Sequence, residues 1–192
     1  MTKSDRAAAS GRCTHERSSG LRASTLAALL GQRLRLPVVN KDRLRQATLW
    51  ALGVDDIDQA PWGPGLWYPV IESLLGAQIS VIGDMTLFSG ICEADIADRL
   101  APQARLVQVF FRCEAPVERF VARSQADPLH RRDYETLLPQ VTELAADLRE
   151  PVALNCPTFA VDTTDGYQPS IDDLVRTLIT DFAPHLRVLL EP

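Results

Sequence analysis

The 192-residue sequence lacks several features that would assign it to a class directly. Its four cysteines are far apart, with no CxxC pair and no His at ligand spacing, which argues against a zinc site and a disulfide framework. It has no apolar run of transmembrane length, and its first twenty residues contain no signal-peptide core. We therefore expect a cytoplasmic protein with reduced thiols and no membrane partner. The cysteines are Cys13, Cys92, Cys113 and Cys156.

The sequence also lacks an excess of basic residues. Its net charge is −5 at pH 7, whereas binding to a nucleic-acid backbone normally needs a basic excess or a basic face. Nucleic acid is therefore not expected as a partner, although one local basic cluster exists. What the chain does contain is 46% hydrophobic residues, enough for one sizeable core. The basic cluster consists of Arg119, Arg123, Arg131 and Arg132.

The composition changes near residue 20. Residues 1–19 are polar and rich in Ser, Arg and Gly, a composition typical of disorder, and we interpret them as a disordered or aberrant leader. Residues 20–183 have the periodicity of a folded domain, and residues 184–192 form a tail. The oligomeric state cannot be deduced from the sequence.

Hydrophobic spacing, prolines and capping residues predict the elements of this domain. The predicted helices are Ser24–Arg35, Arg43–Leu52 (capped by Asp42), Val70–Leu75, Ile91–Leu100, Val117–Gln125, Tyr134–Glu150 and a last helix capped by Ser170 that runs to Phe182. The predicted strands are Leu36–Asn40, Gln78–Asp84, Arg105–Arg112 and Thr158–Asp162. Because the strands are apolar throughout and separated by helices, we predict an α/β domain with a parallel sheet covered by helices on both faces.

Four segments in this order resemble a known family. They are STLAALLGQRLRLPVVNKDRLRQ, SVIGDMT, PVERFVARSQADPLHRRD and FAVDTTDG. Together they are similar to the P-loop kinases of the zeta-toxin and chloramphenicol-phosphotransferase type, which are often labelled AAA-family ATPases. The resemblance covers about residues 20–179. It implies a P-loop NTPase-like fold, with ATP and Mg²⁺ as cofactors and a small-molecule hydroxyl as phosphoryl acceptor.

The phosphate-binding loop of such a kinase is degenerate here. A P-loop needs G-x-x-x-x-G-K-[ST], in which backbone N–H groups and the Lys hold the phosphates and the hydroxyl binds Mg²⁺. With Ser24 at the last position, Ala23 replaces the Lys, and Arg22 and Arg17 replace the two glycines. Only Gly20 and the pair Ser24 and Thr25 match. We expect weak ATP binding at best.

The resemblance implies catalytic roles for two acids and two arginines. Asp42 matches the carboxylate that accepts the proton of the attacking hydroxyl, with a helix cap as the alternative. Asp84 matches an acid that orients Mg²⁺ or substrate, with a turn residue as the alternative. Arg119 and Arg123, four residues apart, match arginines that stabilise the transferring phosphoryl group, with solvated surface arginines as the alternative.

The same resemblance implies binding residues. Asp162 and Thr163 match the loop beside the adenine ring, with an ordinary turn as the alternative. His130 lies where the family often has a lid histidine, but an Arg follows it in place of the usual Gly. Trp62, Trp67 and Tyr68 either line the acceptor pocket or anchor a loop to the core. The nucleotide-binding set is Gly20, Ser24, Thr25, Arg123, Asp162 and Thr163, and the metal set is Ser24 and Asp84.

The strand that precedes the P-loop in this family is also missing from the sequence. In this family that strand is central, and we expect its neighbours to be the strands that end at Asp42 and near Arg112. Unpaired strand edges cost about 1–3 kcal/mol for each buried polar group. Our hypothesis for the cause is that the residues before about Ser24 are an out-of-frame translation. If His15 to Arg22 are encoded by CAC GAG CGG TCG TCG GGG CTC CGG, the shifted frame spells Arg-Ala-Val-Val-Gly-Ala-Pro-Gly, an apolar strand and a loop start. The gene's nucleotides test this hypothesis directly, and a shifted frame that does not spell a strand and a Gly-rich loop rejects it.

Two functions follow from the sequence. The first is an ATP-dependent kinase for a small-molecule hydroxyl, impaired by the loss of the P-loop Lys and Gly. The second is an inactive relative, either a binding or regulatory module or a frameshifted product without function. Asp42, Ser24 and the two arginines favour descent from an enzyme. The missing Lys favours present inactivity.

Overall fold

The computed structural model describes residues 23–53, 63–115, 117–118, 121–122, 125, 138–139, 142–143 and 149–182. Within these ranges the helices are α1 (Ala23–Leu34), α2 (Lys41–Leu52), α3 (Gly63–Gly76), α4 (Glu93–Asp95), which continues as a π-helical turn (Ile96–Leu100), and α5 (Ile171–Phe182). The strands are β1 (Val38–Asn40), β2 (Ile82–Asp84), β3 (Gln108–Arg112) and β4 (Thr158–Asp162). The mixed α/β architecture predicted from the sequence is confirmed.

The strands pair in parallel, as predicted. Strand β1 pairs with β2, and Asn40 lies opposite Asp84. Strand β3 pairs with β4, and Arg112 lies opposite Asp162. In the described part of the chain these pairs form two separate sheets rather than one continuous sheet.

A cavity of about 800 Å³ lies between the two sheets. Residues of β2 line one side of it, including Gly83, and residues of β3 line the other, including Val109. The strands beside the gap are therefore β2 and β3. The expectation that the strand leading to Asp42 borders the gap is wrong, because that strand, β1, lies on the far side of β2.

Hydrophobic clusters cover both faces of the sheets. The first is centred on Leu26 of α1, Val161 of β4 and Leu174 of α5, and Ile82 packs against it. The second is centred on Trp67 of α3, and Val39 of β1 packs against it. Ile82 lies opposite Val38, the residue before Val39, and successive residues of a strand point to opposite faces, so the clusters lie on opposite sides. This arrangement confirms the prediction of helices on both faces.

Helix α1 follows the predicted apolar spacing. Leu26, Leu30 and Leu34 are four residues apart and are almost completely buried. Helix α5 also begins as predicted, because the Ser170 hydroxyl oxygen accepts a hydrogen bond of 3.2 Å from the Asp173 N–H. Both helices pack into the first cluster, which fixes α1 over the sheets.

Helix α2 is capped by a different residue from the one predicted. The side-chain oxygen of Asn40 accepts a hydrogen bond of 2.8 Å from the N–H of Arg43, and the helix begins at Lys41. Asp42 lies in the first turn, where a carboxylate interacts favourably with the helix dipole. The alternative interpretation of Asp42 as an N-cap is therefore wrong, because the preceding Asn40 already has the extended backbone of a cap.

Helix α3 begins seven residues earlier than predicted, at Gly63 rather than Val70. The sequence before Val70 contains Pro and Gly, which predict a loop. Pro64 lies in the first turn of the helix, where Pro is tolerated, but Pro69 lies inside the helix, where it cannot donate a backbone hydrogen bond. Trp67 and Tyr68 are 4% and 2% exposed, and their burial stabilises these extra turns. Trp67 and Tyr68 therefore anchor this segment to the core.

Strand β2 is shorter than the predicted Gln78–Asp84. Gln78 has a positive φ of 61°, and its N–H bonds to the Leu75 carbonyl while the N–H of Ile79 bonds to the Leu74 carbonyl. These bonds close the C-terminus of α3 in a Schellman motif. The first residues of the predicted strand therefore belong to the end of a helix, and pairing with β1 begins at Ile82.

The remaining predictions have mixed outcomes. Strand β4 is confirmed, β3 begins at Gln108 rather than Arg105, and the helix predicted over Ile91–Leu100 begins at Glu93. In the predicted helix Val117–Gln125, the described residues 117–118, 121–122 and 125 are helical. In the predicted helix Tyr134–Glu150, residues 138–139 and 142–143 are helical, and most of the other residues lie outside the described ranges. No helix in the described ranges is both long enough and apolar enough to span a membrane.

Candidate functional site

In each sheet, the carboxyl ends of the two strands carry candidate residues. Asn40 and Asp84 end β1 and β2, and Arg112 and Asp162 end β3 and β4. Ligands of open parallel sheets bind outside this edge. The structure therefore divides the predicted site into two parts, one on each sheet.

The first part is held together by Asn40. Its side-chain N–H donates a hydrogen bond of 2.5 Å to a carboxylate oxygen of Asp84, while its side-chain oxygen caps α2 at Arg43. One side chain thus fixes the position of the Asp84 carboxylate relative to the first turn of α2. Asp42 is exposed in that turn.

A cavity of about 570 Å³ adjoins this part of the edge. Its polar lining comes from Gln32 of α1, Asn40 of β1, Arg43 of α2 and Asp84 of β2. Small-molecule sites are commonly concave and mostly apolar, with volumes of about 300–1,000 Å³ and a few converging polar groups. Asp84, rather than the exposed Asp42, is the predicted catalytic acid that lines this cavity. Its apolar lining includes Ala28, Leu36, Val38, Val39, Leu44 and Val70.

The second part is a tight turn after β4. The N–H and the hydroxyl of Thr163 both donate to the carbonyl oxygen of Arg112, each at 3.0 Å. The N–H of Thr164 donates to a carboxylate oxygen of Asp162 at 2.8 Å. Thr163 is 5% exposed, so its hydroxyl holds the turn against β3. The role of Asp162 and Thr163 in nucleotide binding stays a prediction.

Helix α1 points its N-terminus toward the same edge. It ends at Leu34, four residues before β1 begins, and it packs on β1 and β2, so that helix and strand run in opposite directions. Thr25 is exposed in the first turn of α1, and Ser24 belongs to the same turn. Gly20, Arg119 and Arg123 lie outside the described residues, as do His130 and Trp62.

The sequence interpretation missed Asn40 and Arg43. An Asn directly before a helix and directly after a strand is a common N-cap, and this signal could have identified Asn40. Its second role, the bond to Asp84, depends on the pairing of β1 with β2. Trp67 has a role beyond anchoring a loop to the core. Its indole N–H donates to the Val39 carbonyl at 2.9 Å and so supports the strand beneath the site.

The residues present fit a nucleotide poorly. At the phosphate positions the sequence has Arg17, Arg22 and Ala23 instead of Gly, Gly and Lys. Among the described residues, no group of three His, Cys, Asp or Glu side chains could hold a metal ion. Mg²⁺ at kinase sites is commonly bound by one or two carboxylates and by the phosphates themselves. Asp84 could supply one such carboxylate, but the phosphate cradle does not fit.

No family model matches the chain, and no curated protein matches it in sequence. A crystal structure does match its fold. That structure is of a protein from Chloroflexus aurantiacus J-10-fl described as a "putative kinase", with a TM-score of 0.64 over 86% of this chain and 93% of that chain, at 19% sequence identity. The chain has a kinase-like fold. This confirms the coarse part of the interpretation based on sequence, and the roles of the individual site residues stay predictions.

Proposed function

We propose that this chain is a P-loop kinase-related protein that binds a small hydroxyl-bearing molecule in the cavity at Asn40 and Asp84. The ancestral activity is transfer of the ATP γ-phosphoryl group to that hydroxyl. In the present chain the transfer is impaired, because the P-loop Lys and glycines are replaced. The kinase-like fold and the cavity at the carboxyl ends of β1 and β2 support this proposal.

The observation that carries the proposal is the fixed carboxylate of Asp84 in the lining of the cavity. An ionised carboxylate has two oxygens with about four acceptor positions. Asn40 occupies one of them, so Asp84 retains positions that can accept a hydrogen bond from a ligand hydroxyl. Arg43 gives the same cavity a donor for electronegative ligand atoms. The cavity thus suits a molecule with several hydroxyl or polar groups.

The catalytic roles belong to the same proposal. Asp84 orients the acceptor hydroxyl, and Asp42, two residues after Asn40, is the second acid available at this edge. The residues proposed to bind ATP and its phosphoryl groups lack the P-loop Lys. An active kinase needs that charge, because its catalysis is mostly positioning and charge stabilisation. These residues are Gly20, Ser24, Thr25, Arg119, Arg123, Asp162 and Thr163.

A second candidate function is an inactive relative that binds its ligand without transferring phosphoryl groups. The replacement of the P-loop Lys by Ala23 favours it. A frameshifted product without any function is the limiting case. The two candidates share the ligand cavity and differ in whether bound ligand is ever phosphorylated.

A ligand screen tests the proposed cavity. Thermal unfolding is measured with a panel of hydroxylated small molecules, and hits are repeated with D84N and with D181N, an exposed acid on α5 that serves as control. Ligand at 100 times its dissociation constant stabilises the folded state by about 2.7 kcal/mol. We expect a hit that stabilises the wild type and D181N but not D84N. Equal stabilisation of D84N would contradict the proposal, and so would the absence of any hit.

A further inference from the structure

Helix α2 carries an exposed tryptophan beside the ligand cavity. Trp50 is 86% exposed, and no residue of α2 is buried. A Trp side chain has the largest apolar surface of any residue, and its burial dominates cores and binding interfaces. At this exposure Trp50 contributes little to the core, so packing within the fold does not explain a Trp at this position.

Trp50 lies on the same side of α2 as Arg43. The two residues are seven apart, which is almost two full turns of an α-helix, and they are separated by about 10 Å along its axis. Arg43 lines the cavity of about 570 Å³ at Asn40 and is itself exposed, so it lies at the mouth of that cavity. A ligand that projects out of the cavity past Arg43 therefore extends toward Trp50.

The direction of the side chains shortens this path. Helical side chains lean toward the N-terminus of their helix, so the indole of Trp50 lies over the preceding turn, on the side of Arg43. Ala47 lies between the two on the same side of α2, and it is exposed. Its small side chain leaves the surface between Arg43 and Trp50 open. We call the three residues Arg43, Ala47 and Trp50 the α2 shelf.

The chemistry of the shelf differs from that of the cavity. Asp84 and Arg43 give the cavity an acceptor and a donor for polar ligand groups. The exposed indole of Trp50 instead offers a flat apolar face, and stacked aromatic rings attract each other beyond the effect of buried area. The cavity and the shelf together suit a molecule with a hydroxylated part and a flat aromatic ring.

We propose that Trp50 is a specificity-determining residue, which stacks against an aromatic ring of the ligand whose hydroxylated part occupies the cavity at Asn40 and Asp84. This inference rests on the proposed function, because it takes the cavity as the site of the hydroxylated part. It narrows the ligand class from hydroxylated molecules in general to those that carry an aromatic group within about 10 Å of the hydroxyls.

The arrangement of apolar residues on α2 favours a small ligand over a membrane or a protein surface. Leu52 is the other large apolar residue exposed on this helix, at 58%. It is two residues from Trp50 and therefore about 200° away around the helix. Membrane and protein surfaces are bound by contiguous apolar patches, whereas Trp50 and Leu52 do not share a face. A single indole beside a polar cavity matches one ring of a small molecule.

Matched pairs of ligands test the ring. The full chain is titrated by isothermal calorimetry with the methyl and the 2-naphthyl β-D-glycosides of glucose, galactose, mannose and ribose. We expect at least one sugar for which the naphthyl compound binds about tenfold more tightly than the methyl compound. The absence of such a pair would overturn the proposal, whether both compounds bind equally or neither binds.

Protein variants assign the gain to Trp50. W50A should weaken binding of the naphthyl compound about tenfold and leave the methyl compound unchanged, whereas W50F, which keeps a ring, should retain most of the affinity. L52A is the matched control, since it removes an exposed apolar side chain from the other side of α2, and it should change neither compound. Equal effects of W50A and L52A would overturn the proposal.

The variant D84N separates this inference from the proposed function. If D84N weakens the naphthyl compound but W50A does not, the cavity binds the ligand and the role of Trp50 is wrong. If W50A weakens it but D84N does not, Trp50 binds the ring and the assignment of the cavity is wrong. We expect both variants to weaken it.

Acrylamide quenching of fluorescence tests whether Trp50 is open to a ligand. We expect W50F to lack the most strongly quenched component of the wild-type emission, and we expect the naphthyl compound to protect that component from acrylamide. Loss of only a weakly quenched component in W50F would overturn the proposal, because another part of this chain or a second copy would then cover Trp50.

Discussion

The side-chain amide of Asn40 donates a hydrogen bond of 2.5 Å to a carboxylate oxygen of Asp84 and so joins the carboxyl ends of β1 and β2. The same side chain caps α2 through the N–H of Arg43. One residue therefore links two strands, a helix terminus and the acid that lines the ligand cavity. Substitutions at this position separate the cap from the bond to Asp84.

The first prediction concerns that separation. N40A removes both interactions, and loss of an N-cap alone costs about 0.5–2 kcal/mol in the free energy of unfolding. N40D keeps a capping oxygen but places a second carboxylate beside Asp84, where like charges repel. We expect N40D to be less stable than the wild type at neutral pH although it keeps the cap. Urea unfolding measures this, and an N40D protein as stable as the wild type would contradict the assigned bond.

The second prediction concerns Gly83. A Cβ at this position would lie 2.5 Å from Cζ2 of Trp67, so G83A must displace the indole that supports β1. We expect a loss of about 1–3 kcal/mol, as for overpacked cores. The control is G76A at the end of α3, where a Cβ would meet nothing within 4 Å. Alanine there should be neutral or stabilising by up to about 1 kcal/mol. Equal losses in chemical denaturation would argue against the Trp67 contact.

Much of the fold was predictable because its signals are local. The spacing of Leu26, Leu30 and Leu34 identifies α1, and Ser170 identifies the start of α5, since apolar periodicity and capping act within a few residues. The start of α3 was not predictable in this way. Its first turn has Gly and Pro, and it is helical because Trp67 and Tyr68 are buried by distant parts of the chain.

The site was only partly predictable, for the same physical reason. Asp84 could be identified as the acid at the end of an apolar strand, but its partner Asn40 depends on the pairing of two strands 44 residues apart. The division into two sheets likewise depends on long-range pairing. The predicted roles of Arg119 and Arg123 concern residues outside the described ranges.

The third prediction concerns Tyr68 at alkaline pH. Burial, with Cys92 and Asp95 nearby, raises the pKa of its phenol to about 12 from the usual 10.0, against the opposing effect of Arg99. Between these values the folded state keeps a proton that the unfolded state has lost. Stability should therefore fall with rising pH in this window, by up to about 1.4 kcal/mol per pH unit. Denaturation of the wild type and Y68F across this range tests it. A fall of equal steepness in Y68F would contradict the assignment to Tyr68.

The fourth prediction concerns the ion pair between α3 and the π-helical turn. Arg99 Nε and Nη2 donate to the two carboxylate oxygens of Glu72 at 2.6 and 3.1 Å, and the guanidinium lies over the Tyr68 ring. The hydrogen bond from Arg99 lowers the pKa of Glu72, so its stabilisation is present above the usual glutamate pKa and is lost as pH falls through the lowered value.

Comparison of the wild type with E72Q tests this sign. E72Q should be less stable at neutral pH, and the difference should shrink as the pH falls below the usual range of glutamate. R99K provides a second comparison, because it keeps the charge but not the bidentate geometry. A difference between the wild type and E72Q that does not change with pH would show that packing, rather than ionisation of Glu72, makes this contact stabilising.

Binding of Mg-ATP, measured by isothermal calorimetry, tests the proposed function most directly. The wild type is compared with a variant in which RAVVGAPGSGK replaces residues 13–23, so that a strand and a complete P-loop precede Ser24, and with a control whose new lysine is methionine. We predict saturable binding by the restored variant, with little or none by the wild type and the control. Equal binding by all three would contradict the account of a kinase-related chain whose nucleotide site has been lost.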